Sequence, residues 1–98
     1  MTSDTTANDN ESRSVRLKKI RFRAWHRGTR EMDMLLGRFV DTKLDSLSEE
    51  ELETFEVILE IPDQDLYKML VDNAPVPAPV AGPLMNDLIE LSQHFPRQ

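Results

Sequence analysis

Thr29-Arg30-Glu31-Met32-Asp33-Met34-Leu35-Leu36-Gly37-Arg38-Phe39-Val40-Asp41-Thr42 decides the fold. Met32, Leu35, Leu36 and Phe39 recur at i, i+3, i+4 and i+7, the spacing of a helix with one face in a core. Thr29 is placed to cap that helix, because its hydroxyl can accept from an orphan amide of the first turn. Glu31 and Asp33 then put negative charge where the helix dipole favours it.

Upstream, Leu17, Ile20 and Ala24 form a narrower apolar stripe from about Ser14, and Phe22 and Trp25 lie off it. Gly28 follows an arginine-rich turn and reads as a C-cap, since glycine accepts a left-handed backbone at no steric cost. Residues 1–13 are rich in Ser, Thr, Asn and Asp, cannot repay the entropy of ordering, and are expected to be a flexible tail.

Downstream, Ser48 and Glu51 have capping-box spacing, and Leu52, Phe55, Ile58 and Leu59 make a third apolar face. Pro62 ends that helix. Asp63 is expected to cap a short fourth helix with Leu66, Met69 and Leu70 inward. Ala74 to Pro83 holds Pro75, Pro77, Pro79 and Pro83 and reads as a stiff, extended connector. The proline spacing also allows a PxxP-type ligand, but the segment is short and lies between two apolar helices. Gly82-Pro83 opens a fifth helix with Leu84, Leu88, Leu91 and Phe95 on its stripe. With no alternating strand pattern, the expected fold is all-α: a compact five-helix bundle over residues 14–96, a single domain.

Composition narrows the function. The chain has no cysteine, which removes disulfides, thiolate metal sites and a cysteine nucleophile. His26 and His94 are far apart and lack companion ligands at helical spacing, so no metal site is expected. No apolar run is long enough for membrane insertion, and the polar N-terminus is no secretory signal. The carboxylates of Glu49, Glu50, Glu51, Glu53 and Glu56 crowd one helix and read as a solvated face, not as a catalytic pair in distinct environments. Three scattered glycines make no phosphate cradle, and no serine sits in a nucleophile elbow. The expectation is a binding protein, not an enzyme.

The net charge of −6 hides an asymmetry. Eight basic residues run from Arg13 to Arg30 without an acid, whereas Asp41 to Asp72 holds eleven acids against two lysines. A basic segment with interleaved aromatics is the usual footprint of nucleic-acid binding. The acidic remainder opposes it, and salt bridges between the first and third helices account for the same charges. No nucleic-acid partner is expected.

The polar groups His26, Arg27, Arg30, Glu31 and Asp33 crowd around Gly28. Such a rigid corner, with donors beside acceptors, suits docking on a partner's polar surface, and Arg27 can make bidentate contacts with a carboxylate or phosphate.

At this corner the string Trp25-His26-Arg27-Gly28-Thr29-Arg30-Glu31-Met32-Asp33 resembles the signature of the SdhE family, the FAD assembly factors of succinate dehydrogenase. The family's motif is Arg-Gly-x-x-Glu, extended in bacterial members as RGxRExD. Leu47-Ser48-Glu49-Glu50-Glu51-Leu52 with Phe55 and Leu59-Glu60, and then Asp63-Gln64-Asp65-Leu66-Tyr67, resemble its third and fourth helices, so about residues 15–95 are covered. His26 stands where the family is often basic, and Tyr67-Lys68-Met69 replaces a frequent Trp. The resemblance implies a small helical protein of the bacterial cytoplasm, or of the mitochondrial matrix in eukaryotes. It would act as a monomer on the flavoprotein subunit of succinate dehydrogenase or fumarate reductase and promote covalent attachment of FAD, holding no cofactor tightly itself. Arg27, Gly28 and Glu31 would be its partner-binding residues, flanked by Arg30, His26 and Asp33. Some bacterial members also carry a description as antitoxins, which implies an alternative role as a helical interaction module.

Overall fold

The computed structural model describes the backbone of residues 5–94 and the side chains of residues 12–94. Five helices follow one another: α1 (Thr5–Trp25), α2 (Arg30–Lys43), α3 (Glu49–Leu59), α4 (Asp63–Val71) and α5 (Pro83–Gln93). Short 3-10 turns at Leu44–Ser46 and Ala78–Val80 complete the path, and there is no strand among the described residues.

The apolar stripes meet as their spacing predicts. Ile20 and Ala24 of α1, Leu35, Leu36 and Phe39 of α2, Leu52, Phe55 and Ile58 of α3, Leu66 and Leu70 of α4, and Met85 and Leu88 of α5 are all buried in one core. The Phe39 and Phe55 rings stack with centroids 5.4 Å apart and join α2 to α3. Phe95 lies outside the described residues.

Local signals explain most helix starts. Thr29 Oγ1 accepts from the Met32 amide at 3.3 Å and opens α2. At α3 the capping box is complete: Ser48 Oγ accepts from the Glu51 amide at 3.1 Å, and Glu51 Oε1 accepts from the Ser48 amide at 2.8 Å. Pro83 stands at the first turn of α5 after Gly82, whose φ of +143° suits glycine. The proline-rich connector is extended apart from its single 3-10 turn, and Val80 anchors it in the core.

Three expectations need correction. Helix α1 begins at Thr5, so the boundary drawn near Ser14 lies inside a helix. At that point Arg13 is fastened across to α3, donating to Glu49 at 2.5 Å and to the Leu47 carbonyl at 2.9 Å. Second, Asp63 is not the cap of α4: Pro62 holds that position, and the Asp63 carboxylate is turned to another use described below. Third, α1 ends at Trp25, three residues before Gly28, so this glycine is no C-cap but part of the connection itself.

The charge asymmetry resolves into packing. Arg16 pairs with Glu49 and Glu56, each at 2.8 Å, Arg23 pairs with Glu60 at 2.7 Å, and Arg21 reaches Asp41 at 3.5 Å. The basic helix thus lies along the acidic one and spends most of its arginines there.

Trp25 explains how α1 and α2 come close. Its indole lies on Gly37, where an added Cβ would stand 2.2 Å from the ring. A glycine in a helix interior costs about 1 kcal/mol relative to alanine; here the missing side chain is what admits the indole.

Candidate functional site

The connection from His26 to Thr29 turns the chain from α1 into α2. Gly28 supplies a φ of +126°, a region that L side chains rarely adopt. Asp33, one turn into α2, reaches back: its Oδ1 accepts from the Arg27 amide at 2.5 Å and from the Gly28 amide at 3.2 Å. These amides have no helical partner, and the carboxylate satisfies both.

Arg27 then points inward. Its side chain is only 8% exposed. Nε donates to Asp63 Oδ1 at 2.7 Å, one terminal nitrogen donates to the Leu59 carbonyl, and the other donates to the Ile61 carbonyl at 2.5 Å. Leu59 and Ile61 flank the end of α3, where carbonyls lack intrahelical partners and the dipole is negative. One guanidinium therefore ties the α1–α2 corner to the α3–α4 turn, using the planar fork that a lysine lacks.

The six residues grouped by sequence accordingly separate. Arg27 and Asp33 face the protein's own backbone and hold the corner. Gly28 is exposed at the bend. His26 folds back along α1: its Nδ1 donates to the Phe22 carbonyl at 2.7 Å, and its ring stacks on Phe22 at 4.0 Å. Arg30 and Glu31 begin α2. Arg30 is exposed, and Glu31 lines a cleft of about 320 Å³ between α2 and α4 with Met32, Gln64, Tyr67 and Lys68. Neither forms an ion pair with a described residue.

Reasoning from sequence missed Asp63 as the partner of Arg27. An acid opening a helix after proline has an adequate local explanation, and the pair spans 36 residues. The Trp25–Gly37 contact was missed as well, although a glycine inside so regular an apolar helix asks for a packing reason.

Among the described residues no group of His, Cys, Asp and Glu could hold a metal ion. Both histidines bond to carbonyls of their own helices. Three shallow clefts, of about 320 to 380 Å³, each carry acids: Glu50 and Glu51, then Glu31, Asp63 and Asp72, then Asp87 and Glu90.

Comparison with known proteins agrees with the corner's motif. A family model described as "Flavinator of succinate dehydrogenase" matches residues 18–92. The "FAD assembly factor SdhE" of Acetobacter pasteurianus is 40% identical over 80 residues, which cover 82% of this chain and 73% of that protein. The protein of the same name from Coxiella burnetii is 44% identical over 54 residues, covering 55% of this chain and 65% of its own. A "Succinate dehydrogenase assembly factor 2, mitochondrial" from Mycosarcoma maydis is 33% identical over 71% of this chain, which spans only 29% of that longer protein. No solved structure matches significantly. With the family model running from the second half of α1 through the corner and into α5, the chain belongs to the family of succinate dehydrogenase flavinators.

Proposed function

We propose that this chain is an assembly factor that binds the flavoprotein subunit of succinate dehydrogenase and promotes covalent attachment of that subunit's FAD. Fumarate reductase, whose flavoprotein poses the same problem, is a second client. The observation that carries this reading is the division of labour at the corner. Arg27 and Asp33 fix its shape from within, and Arg30 and Glu31 are left at the surface without charge partners among the described residues. A fixed polar constellation of this kind loses little entropy on docking.

FAD brings its own electrophilic ring, and the flavoprotein brings the histidine that becomes linked to it. This chain contributes a surface. By binding one arrangement of the flavoprotein better than others, it raises the population in which the reacting atoms are close and aligned. The chain is not an enzyme on this reading and keeps no tightly bound cofactor. It works as a monomer, in the bacterial cytoplasm or the mitochondrial matrix. No helix among the described residues is long and apolar enough to cross a membrane.

The test is restoration of covalent flavin. In a strain lacking its own factor, the flavoprotein subunit is resolved on a denaturing gel and its flavin fluorescence is read. Expression of this chain is expected to restore the fluorescent band. A band that stays absent while the chain accumulates in folded form would overturn the proposal.

A further inference from the structure

The outward side of α1 is not used by the corner. Val15, Lys18, Lys19, Phe22 and His26 follow at i, i+3, i+4, i+7 and i+11, which places them on one stripe. The stripe is opposite the buried Ile20 and Ala24 and runs about 16 Å along the helix at 1.5 Å per residue. Phe22 is 63% exposed and Val15 is 50% exposed.

Two observations say what would cover it. The first is charge. Arg13, Arg16, Arg21, Arg23 and Arg27 are all matched by carboxylates of this chain. Lys18 and Lys19 make no ion pair with any described residue, so the stripe presents positive charge that the described residues leave unpaired, on a chain whose net charge is −6. The second is order. Phe22 is not loose: His26 stacks on its ring, interplanar angle 20°, and is itself held by the bond from Nδ1 to the Phe22 carbonyl. An exposed aromatic fixed before binding is the form that interface anchors take.

We propose that this stripe is a second docking surface, which seats Phe22 in an apolar recess of an acidic face of the flavoprotein subunit, with Lys18 and Lys19 against its carboxylates. This rests on the partner assigned above. A polyanion such as nucleic acid fits less well, because two lysines on a chain of net charge −6 make too small a basic patch for a phosphate backbone.

The experiment measures binding of the full-length chain to the purified flavoprotein subunit by calorimetry at low and high salt. Phe22→Ser and the double variant Lys18→Glu/Lys19→Glu are compared with wild type. All three substituted positions are exposed and away from the core, so helicity and thermal midpoint serve as fold controls. Each variant is expected to weaken binding by about tenfold or more, and the loss in the double variant is expected to shrink as salt screens it. Binding by wild type with both variants within about twofold of it would overturn this surface and leave the assembly function standing. Loss in one variant only would overturn the stripe as a unit. No binding by wild type at either salt would remove the partner, and with it both proposals. Two further outcomes also overturn the assignment: retention on nucleic acid that Lys18→Glu/Lys19→Glu abolishes while flavoprotein binding is intact, or self-association that Phe22→Ser dissolves.

Discussion

Arg27 and Asp63 form an ion pair, with Nε 2.7 Å from Oδ1 and the side chains 8% and 21% exposed, that joins the corner before α2 to the first turn of α4. The arginine of the family motif is therefore directed into the protein, and its three hydrogen bonds are made before any partner arrives.

Removing either member leaves the other without its partner in a site largely closed to water. Arg27→Ala and Asp63→Ala are each expected to cost about 3 kcal/mol, within the range for breaking a buried pair. Arg27→Lys is expected to recover little of it, because an ammonium cannot span a carboxylate and two carbonyls at once. Urea unfolding of the three variants checks this. Midpoints equal to that of wild type would show that the guanidinium does not hold the corner.

Gly28→Val addresses the bend directly. Space is not the obstacle, since a Cβ at Gly28 would lie 3.7 Å from Asp63 Oδ2, an ordinary contact. The backbone is: at φ +126° a β-branched residue is strained, at a cost of about 1–2 kcal/mol by the usual penalty for positive φ. Unfolding by urea measures the cost. A variant as stable as wild type would mean that the bend relaxes to negative φ.

Gly37→Ala tests the seat of Trp25. Alanine gains up to about 1 kcal/mol of helix propensity, but its Cβ would collide with the indole at 2.2 Å. Overpacking costs about 1–3 kcal/mol, so the net effect is a loss and a changed tryptophan emission. In a Trp25→Ala background the same substitution is expected to stabilise. Failure of the sign to reverse would show that the indole is not what the glycine accommodates.

These contacts show where sequence reading stops. The helices were legible because Met32, Leu35, Leu36 and Phe39, and likewise Leu52, Phe55 and Ile58, obey a period set by the chain itself. Caps at Thr29 and Ser48 were legible for the same reason, each spanning three residues. Asp63 was misread as a cap because its partner lies 36 positions away, and nothing local distinguishes a capping carboxylate from a bridging one. The start of α1 was misplaced because Arg13, inside that helix, takes its partners from Glu49 and the Leu47 carbonyl, 36 and 34 positions away. At the corner, sequence grouped Arg27 and Asp33 with the outward polar residues, whereas both turn onto the protein's own groups, since crowding in sequence carries no information on which side chains turn in.

Acid should loosen the α1–α3 contact. The hydrogen bond from Arg16 holds the Glu56 carboxyl below its ordinary range, against the opposing effect of burial. A carboxyl lowered in the folded state adds stability that is complete above the unfolded value of about 4.3 and is lost as pH falls through the folded value. Glu56 is 35% exposed, so the contribution is modest. Wild type is expected to lose more stability than Glu56→Gln on going from about pH 6 to about pH 3. Equal losses in urea titrations would place the acid sensitivity in other carboxylates.

Glu31 is the sharper probe of function, because its carboxylate has no charge partner among the described residues and lines the open cleft beside α4. Glu31→Ala removes no ion pair among the described residues, so the fold is expected to keep its stability within about 0.5 kcal/mol, as for other surface changes. Covalent flavin on the partner is nevertheless expected to fall by about tenfold, the loss typical of a central contact. Arg27→Ala should also abolish flavin attachment, but by a different route, and thermal unfolding separates the two. A stabilising substitution elsewhere, or lower temperature, should partly rescue Arg27→Ala by restoring the corner, whereas it cannot return the missing carboxylate of Glu31→Ala. If Glu31→Ala supports full flavin attachment, the exposed end of the corner is not the contact, and the weight of docking shifts to the face of α1 around Phe22.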